Sequence, residues 1–210
     1  MPKMPYSQYM KEAQLAVEYV KSKMTTGAAN KAKDILSSGG VINFLLTLGI
    51  SRAVINILNL QDSFWDRMEN GNDSVGKLWT MRNRSHKTMG NELDPGIIAS
   101  DATSYGTGNC GEQSAIAFTY LCQRKVFPID WCHFAQNDPN HAFVIINANA
   151  PITPTNFSEW SKSAIVCDPW GDRVEEAGCL IKRWDCNKVA SYCHLDGHKV
   201  TGFEGINFRR

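Results

Sequence analysis

The sequence has almost no net charge and no long uninterrupted apolar run, and each absence excludes a class of function. Its 210 residues carry 22 Lys plus Arg against 21 Asp plus Glu, a formal charge of +1. A near-neutral chain has no net field to hold a polyanion, so we expect no nucleic-acid partner. The most apolar stretch, residues 41–60, is interrupted by Asn, Gly, Ser and Arg. A spanning helix needs about 20 mostly apolar residues, so we expect no stable membrane insertion.

Cysteine is too scarce for a disulfide scaffold. Seven cysteines in 210 residues are an odd number, so at least one thiol stays unpaired within the chain. Hydrophobic residues make up 43% and charged residues 20% of the sequence, which is ordinary globular composition and not that of a disordered chain. At about 150 residues per domain, the length predicts one compact unit or slightly more.

The N-terminus lacks the features of a Sec signal peptide. The opening residues, MPKMPYSQYMKEAQ, contain neither an apolar core nor a small-residue cleavage site. We therefore expect a cytoplasmic protein, or one exported by a signal-independent secretion system into a host or target cell. The sequence does not indicate an oligomeric state.

The chain divides by pattern into a helical part, residues 1–100, and a mixed part, residues 101–210. Apolar side chains at helical spacing predict the first helix at Tyr9, Ala13, Ala16 and Val20. Further helices are predicted over residues 31–36 and within 41–60, and another over residues 111–124. It is followed by a short alternating run at 129–134 and by two apolar runs, at 141–146 and 164–167, that are typical of buried strands. Helices followed by strands form an α+β pattern, in which the first part would act as a lid or as a surface for target recognition.

A glycine-rich loop leads into the helix predicted over residues 111–124 and has Cys110 at the junction. Unpaired backbone N–H groups and the positive end of the helix dipole stabilise a thiolate there. The same N–H groups are suited to binding the oxyanion of a tetrahedral intermediate. Gly111 would let a substrate approach closely. Asn109 and Gln113 are polar neighbours that are candidates for completing the oxyanion hole.

Two further residues are suited to activating this cysteine. His141 begins one predicted strand, and Asp168 ends the next, followed by Pro169 and Trp170. If the strands are antiparallel neighbours, Asp168 meets one ring nitrogen of His141 and leaves the other for Cys110. Trp170 would then line the substrate groove. The sequence predicts a Cys-His-Asp triad that uses no metal and no cofactor.

These three segments, within residues 104–182, resemble the papain-like superfamily and in particular its transglutaminase-like branch. In that branch a cysteine opens a helix, a histidine begins the next strand, and an aspartate often followed by Pro-Trp ends the strand after. The resemblance implies a helix packed on an antiparallel sheet, with Cys110 as nucleophile, His141 as base and Asp168 as orienting acid. Bacterial effectors and toxins that deamidate glutamine in host proteins are similar in size and arrangement, which implies a protein substrate.

The triad is compatible with several amide substrates. Hydrolysis of a glutamine side chain would be deamidation, which we favour, whereas hydrolysis of a peptide bond would make the protein a thiol protease. An amine in place of water would give a transglutaminase, and a cell-wall amide would give a peptidoglycan amidase. The C-G-[SA]-C-[WY] pattern of papain and the cathepsins is absent, so lysosomal-type proteolysis is not implied.

A rival cluster near the C-terminus favours a different class of function. Thiolate and imidazole side chains suit zinc, and they recur at Cys179, Cys186, Cys193, His194 and His198. The cysteine spacing is wider than in a zinc knuckle, and buried thiols or one disulfide explain the same residues. The alternative to an enzyme is therefore a non-catalytic or zinc-stabilised binding module.

Overall fold

The computed structural model describes ten parts of the chain: residues 4–28, 77–78, 80–82, 94–134, 141–148, 152, 157–160, 162–182, 189–197 and 200–201. Residues 29–76, which fall in the predicted helical part, lie outside the described residues. So do Cys186 and His198 of the C-terminal cluster.

The described elements give an α+β architecture. In chain order they are α1 (Tyr6–Lys23), α2 (Pro95–Tyr105), α3 (Cys110–Gln123), β1 (Ile129–Phe134), β2 (Ala142–Ile146), α4 (Phe157–Trp160), β3 (Ile165–Asp168), β4 (Arg173–Glu176), a 3-10 helix (Ala177–Lys182), β5 (Val189–Leu195) and β6 (Val200–Thr201). The predicted helix after residue 110 and the three predicted strands are confirmed within one or two residues. Over the described ranges, no helix combines the length and the apolar character needed to cross a membrane.

The strands form one antiparallel sheet in the order β4-β3-β2-β1-β5-β6. All residues of β2 and β3 are buried, which explains why β-branched and apolar residues dominate them. Strand β5 was not predicted. Its sequence, VASYCHL, mixes apolar and polar residues without strict alternation, and its Cys and His were assigned to the C-terminal cluster instead.

Both faces of the central sheet are covered. Helix α3 packs on β1, β2 and β3, and the indole Nε1–H of Trp131 donates a hydrogen bond to Ser114 Oγ at 2.8 Å. Alternation along β1 sends Cys132 to the opposite face, where it joins a buried apolar cluster with Phe143 and Trp160. The strands that present the site are therefore held from two sides.

Helix α1 buries the face that its sequence pattern predicts. The buried positions include Tyr9, Ala13, Ala16 and Val20. The small alanine side chains allow a close approach, and Cys167 Sγ in β3 lies 3.6 Å from the backbone oxygen of Ala13. Glu12 accepts both Nε and Nη2 of Arg124, the latter at 2.9 Å, which ties α1 to the end of α3.

The chain forms two compact units. One comprises Met1–Val20, Asp94–Ala99 and Cys110–Arg210, and the other comprises Lys21–Leu93 and Ser100–Asn109. Within the second unit, the Thr107 hydroxyl donates to the backbone oxygen of Gly27 at 3.1 Å. The predicted division into a lid or recognition part, 1–100, and a catalytic core, 101–210, stays a prediction.

The start of helix α2 provides a test of local stability. Asp94 Oδ1 accepts the backbone N–H groups of Gly96 at 2.7 Å and Ile97 at 3.3 Å, so it caps the helix. Asp94→Ala should lower the free energy of unfolding by about 1 kcal/mol, measured by urea denaturation. Asp94→Asn, which keeps an accepting oxygen, should retain most of the stability. Equal losses in both variants would contradict the capping role.

Candidate active site

Cys110 is the first residue of α3, and its helical turn is anchored to the sheet. The Ser114 hydroxyl donates to the backbone oxygen of Gly111 at 2.9 Å and accepts the Trp131 indole N–H at 2.8 Å. These two bonds connect the turn that carries Cys110 to strand β1. The Cys110 side chain is half-buried, so it is held in position without being sealed from solvent.

His141 and Asp168 meet because β2 and β3 are antiparallel neighbours. The register pairs Val144 with Cys167, which brings the beginning of β2 to the end of β3. His141 Nε2–H donates to Asp168 Oδ2 at 3.0 Å, and both residues are nearly inaccessible, at 7% and 1% exposure. The carboxylate therefore determines which way the imidazole faces.

His141 is also hydrogen-bonded with the Cys110 side chain. Burial lowers the pKa of His141, but hydrogen bonds with Asp168 and Cys110, together with their negative charges, outweigh it and raise the pKa to about 9. Because Nε2 is bonded to Asp168, Nδ1 is the nitrogen left for the thiol. At neutral pH the imidazole is therefore a cation beside the sulfur, as a thiolate–imidazolium pair requires.

Asp168 depends on a residue that sequence reasoning did not assign to the site. The backbone N–H of Gly171 donates to Asp168 Oδ1 at 2.9 Å, so each carboxylate oxygen has a partner. A Cβ atom at position 171 would lie 2.2 Å from Asp168 Oδ2, which is too close for any side chain. The signal was present in the sequence as a glycine three residues after the acid.

Trp170 lies against the histidine itself. Its ring meets that of His141 edge to face, with centroids 5.3 Å apart and an interplanar angle of 63°. The ring of Phe143 lies on the same imidazole, with ring centroids 5.8 Å apart. Trp170 is half-buried, so it both restricts the imidazole and leaves part of an aromatic surface exposed beside it.

The predicted oxyanion residues differ in what surrounds them. A Cβ atom at Gly111 would meet no other atom within 4 Å, so the helix is open on that side, next to Cys110. Gln113 is buried. Asn109 belongs to the other compact unit. Their roles in oxyanion or substrate binding stay predictions.

Sequence reasoning missed Tyr192, in β5, whose ionisation is influenced by Cys110. Burial raises the pKa of its phenol, and the negative charge of Cys110 raises it further. The residue was overlooked because its position depends on the pairing of β5 with β1, for which the local sequence gives no signal.

Three members of the C-terminal cluster, Cys179, Cys193 and His194, fall in the described part of the chain. His194 Nδ1–H donates to Asp130 Oδ2 at 2.9 Å, and the backbone N–H of Ile152 donates to Asp130 Oδ1 at 3.2 Å. Cys179 and Cys193 are free thiols, and burial raises the pKa of Cys193 to about 12. In the described part of the chain, no three His, Cys, Asp or Glu residues are grouped to hold a metal ion.

No protein-family model, curated protein or solved structure matches this chain. The resemblance to the papain-like superfamily therefore rests on the residues and geometry described above, and it stays a prediction.

Replacing Gly171 with Ala should disturb Asp168 without touching His141 or Cys110. The added methyl group would displace the carboxylate, so the imidazole would lose the partner that keeps it protonated. We expect Gly171→Ala to slow iodoacetamide alkylation of Cys110 at pH 6 at least tenfold. The double variant Gly171→Ala/Asp168→Asn should react like Asp168→Asn alone, because both changes remove one interaction. Additive losses would contradict a role through Asp168.

The raised pKa of His141 also predicts how stability depends on pH. The folded pKa of about 9 lies above the ordinary value of 6.5. The stabilisation is therefore fully present below pH 6.5 and is lost as pH rises through 9, on the order of 3 kcal/mol for the whole shift. Asp168→Asn should lower the free energy of unfolding far more at pH 6 than at pH 10. Urea denaturation of both proteins at the two pH values measures this, and an equal deficit at both would contradict it.

Proposed function

We propose that this protein is a cysteine hydrolase that attacks an amide through a thioester on Cys110, and that its reaction is the deamidation of a glutamine side chain in a target protein. The observation that supports it is His141, hydrogen-bonded to Asp168 on one side and to Cys110 on the other. A buried imidazole between an acid and a thiol is the arrangement of an activated nucleophile.

The first half of the reaction forms the thioester. The Cys110 thiolate attacks the γ-carboxamide carbon, and the electron pair of the carbonyl bond moves to oxygen. When the C–N bond breaks, the imidazolium of His141 gives its proton to the leaving nitrogen, which departs as ammonia. The side chain of Asp168 keeps the imidazole oriented during this transfer and stabilises its charge.

The second half returns the enzyme to its starting state. Neutral His141 takes a proton from a water molecule, and the hydroxide attacks the thioester carbon. The C–S bond then breaks, which leaves the thiolate beside the imidazolium and a carboxylic acid on the target, and this acid loses its proton to solvent to give glutamate. No cofactor is needed in either half, because the sulfur, the imidazole and water supply every bond and proton.

The architecture supports a papain-like, transglutaminase-like fold for the core. The nucleophile begins a helix packed on an antiparallel sheet, and the histidine and the acid lie on adjacent strands. The open side of Gly111 next to Cys110 suits the approach of a side chain from a larger protein. We propose that this protein is a bacterial effector or toxin, and that its target is a host protein. A thiol protease, a transglutaminase or a peptidoglycan amidase would use the same three residues.

Selective alkylation tests the nucleophile directly. An ordinary thiol, with a pKa of about 8.5, is almost wholly protonated at pH 6, and burial raises the pKa of Cys122, Cys167 and Cys193. We expect brief substoichiometric iodoacetamide at pH 6 to label Cys110 at least tenfold faster than any other cysteine. Intact mass and peptide mapping measure this, and the selectivity should disappear in His141→Ala.

The second buried His–Asp pair supplies a matched control. His194→Gln removes a histidine that is also bonded to an aspartate, so it should affect stability but leave the selective labelling of Cys110 intact. Slow labelling spread over several cysteines in the wild type would refute the proposal that the protein is a cysteine hydrolase. If labelling is selective, a short glutamine peptide then separates the reactions by mass: conversion of amide to acid, cleavage, or addition of an amine.

A further inference from the structure

The pairing of β5 with β1 contains an irregularity at Tyr192. Trp131 pairs with Cys193, but the next residue, Cys132, pairs with Ser191. Tyr192 is therefore an extra residue on β5, which is the definition of a β-bulge. Bulges change the direction in which a side chain points, and they are frequent next to active sites.

The Tyr192 ring is held between two side chains of β1. It stacks on His133, with centroids 3.7 Å apart and an interplanar angle of 17°, and inclines at 47° to Trp131, with centroids 5.0 Å apart. His133 Nδ1–H donates to the backbone oxygen of Phe134 at 3.0 Å, and burial lowers the pKa of His133. At neutral pH the His133 imidazole is therefore uncharged, so it packs against the phenol ring without acting as a proton donor to the substrate.

Hydrogen bonds connect Trp131, one of these two ring partners, to the helical turn that carries Cys110. Trp131 is bonded to Ser114, and Ser114 is bonded to Gly111. The charge of Cys110 acts on the Tyr192 phenol and, together with burial, keeps it protonated. His133, on which the Tyr192 ring stacks, pairs with Ala142, the residue after His141, so the phenol lies at the end of the sheet that carries the imidazole. Its hydroxyl is a hydrogen-bond donor there, on the β5 side of β2, whereas Asp168 and Trp170 contact His141 from the β3 side.

We propose that Tyr192 is a further catalytic residue, whose hydroxyl donates a hydrogen bond to the oxyanion formed when Cys110 attacks a carbonyl carbon. The inference rests on the proposed function. As the S–C bond forms, the carbonyl electron pair moves to oxygen, and Tyr192 O–H stabilises that charge. The pair returns to carbon when the leaving group departs, and Tyr192 keeps its proton throughout.

Two reagents distinguish this role from any effect on the thiolate. Acylation by 4-nitrophenyl acetate passes through a tetrahedral oxyanion and releases 4-nitrophenolate, whereas iodoacetamide reacts at a saturated carbon and forms none. Tyr192→Phe keeps the ring between His133 and Trp131 and removes only the hydroxyl. We expect it to slow acylation of Cys110 about 100-fold, the usual effect of removing one oxyanion donor, and to change alkylation less than about twofold.

Tyr120→Phe is the matched control, because it also removes one phenol hydroxyl, but from a ring in α3 that stacks on Tyr19 and has no proposed part in the reaction. It should leave both rates unchanged. An unchanged acylation rate in Tyr192→Phe overturns the proposal, and so does equal slowing of both reactions, which would place the effect on the thiolate or the fold. If Cys110 of the wild type reacts with neither reagent faster than the other thiols, the proposed function fails as well.

Discussion

The hydrogen bond between His141 and Asp168 sets conditions that the surrounding structure has to meet. A carboxylate removed from water needs partners for its oxygens, since an unpaired buried charge lowers the stability of the fold by roughly several kcal/mol. One oxygen receives the imidazole and the other receives the backbone N–H of Gly171. The register of β2 on β3 brings the first pair together, and a position without a Cβ permits the second. The register of β2 on β3 and the glycine at position 171 therefore determine the position of the His141 imidazole.

The sheet contains a second buried pair, Asp130 and His194, with nearly the same separation as Asp168 and His141. The two pairs differ in their third partner. Asp130 receives the backbone N–H of Ile152, so that pair closes a connection between chain segments. His141 has Cys110 as its other hydrogen-bond partner. A histidine bonded to an acid is structural unless a nucleophile lies at its second nitrogen, which is the use that we propose for His141.

Much of this arrangement is present in local sequence, and the rest depends on pairing. A glycine loop before a helix with little charge predicts the position of Cys110, and an alternating run predicts β1. Runs rich in β-branched residues predict β2 and β3, because burial on both faces selects apolar residues. Strand β5 escaped prediction because its mixed sequence acquires its exposure pattern only from its neighbours. The bulge at Tyr192 is likewise a property of a register, which no single segment encodes, whereas the hydrogen bond from Gly171 to Asp168 lies within one short segment.

The groups of the candidate site come from separate elements of one compact unit. The nucleophile begins α3, the imidazole precedes β2, the acid ends β3, and the phenol of Tyr192 lies on β5 against the side chains of β1. His141 and Asp168 are positioned by their hydrogen bond and by the short turn at Gly171, and Tyr192 by its ring contacts with β1. A charge that develops during reaction would therefore meet dipoles that are already oriented, and this is the condition under which donors stabilise a transition state without reorganising. It also means that Trp170 and Tyr192 can be altered separately, since Trp170 contacts His141 from the β3 side of β2 and Tyr192 stacks on His133 on the β5 side.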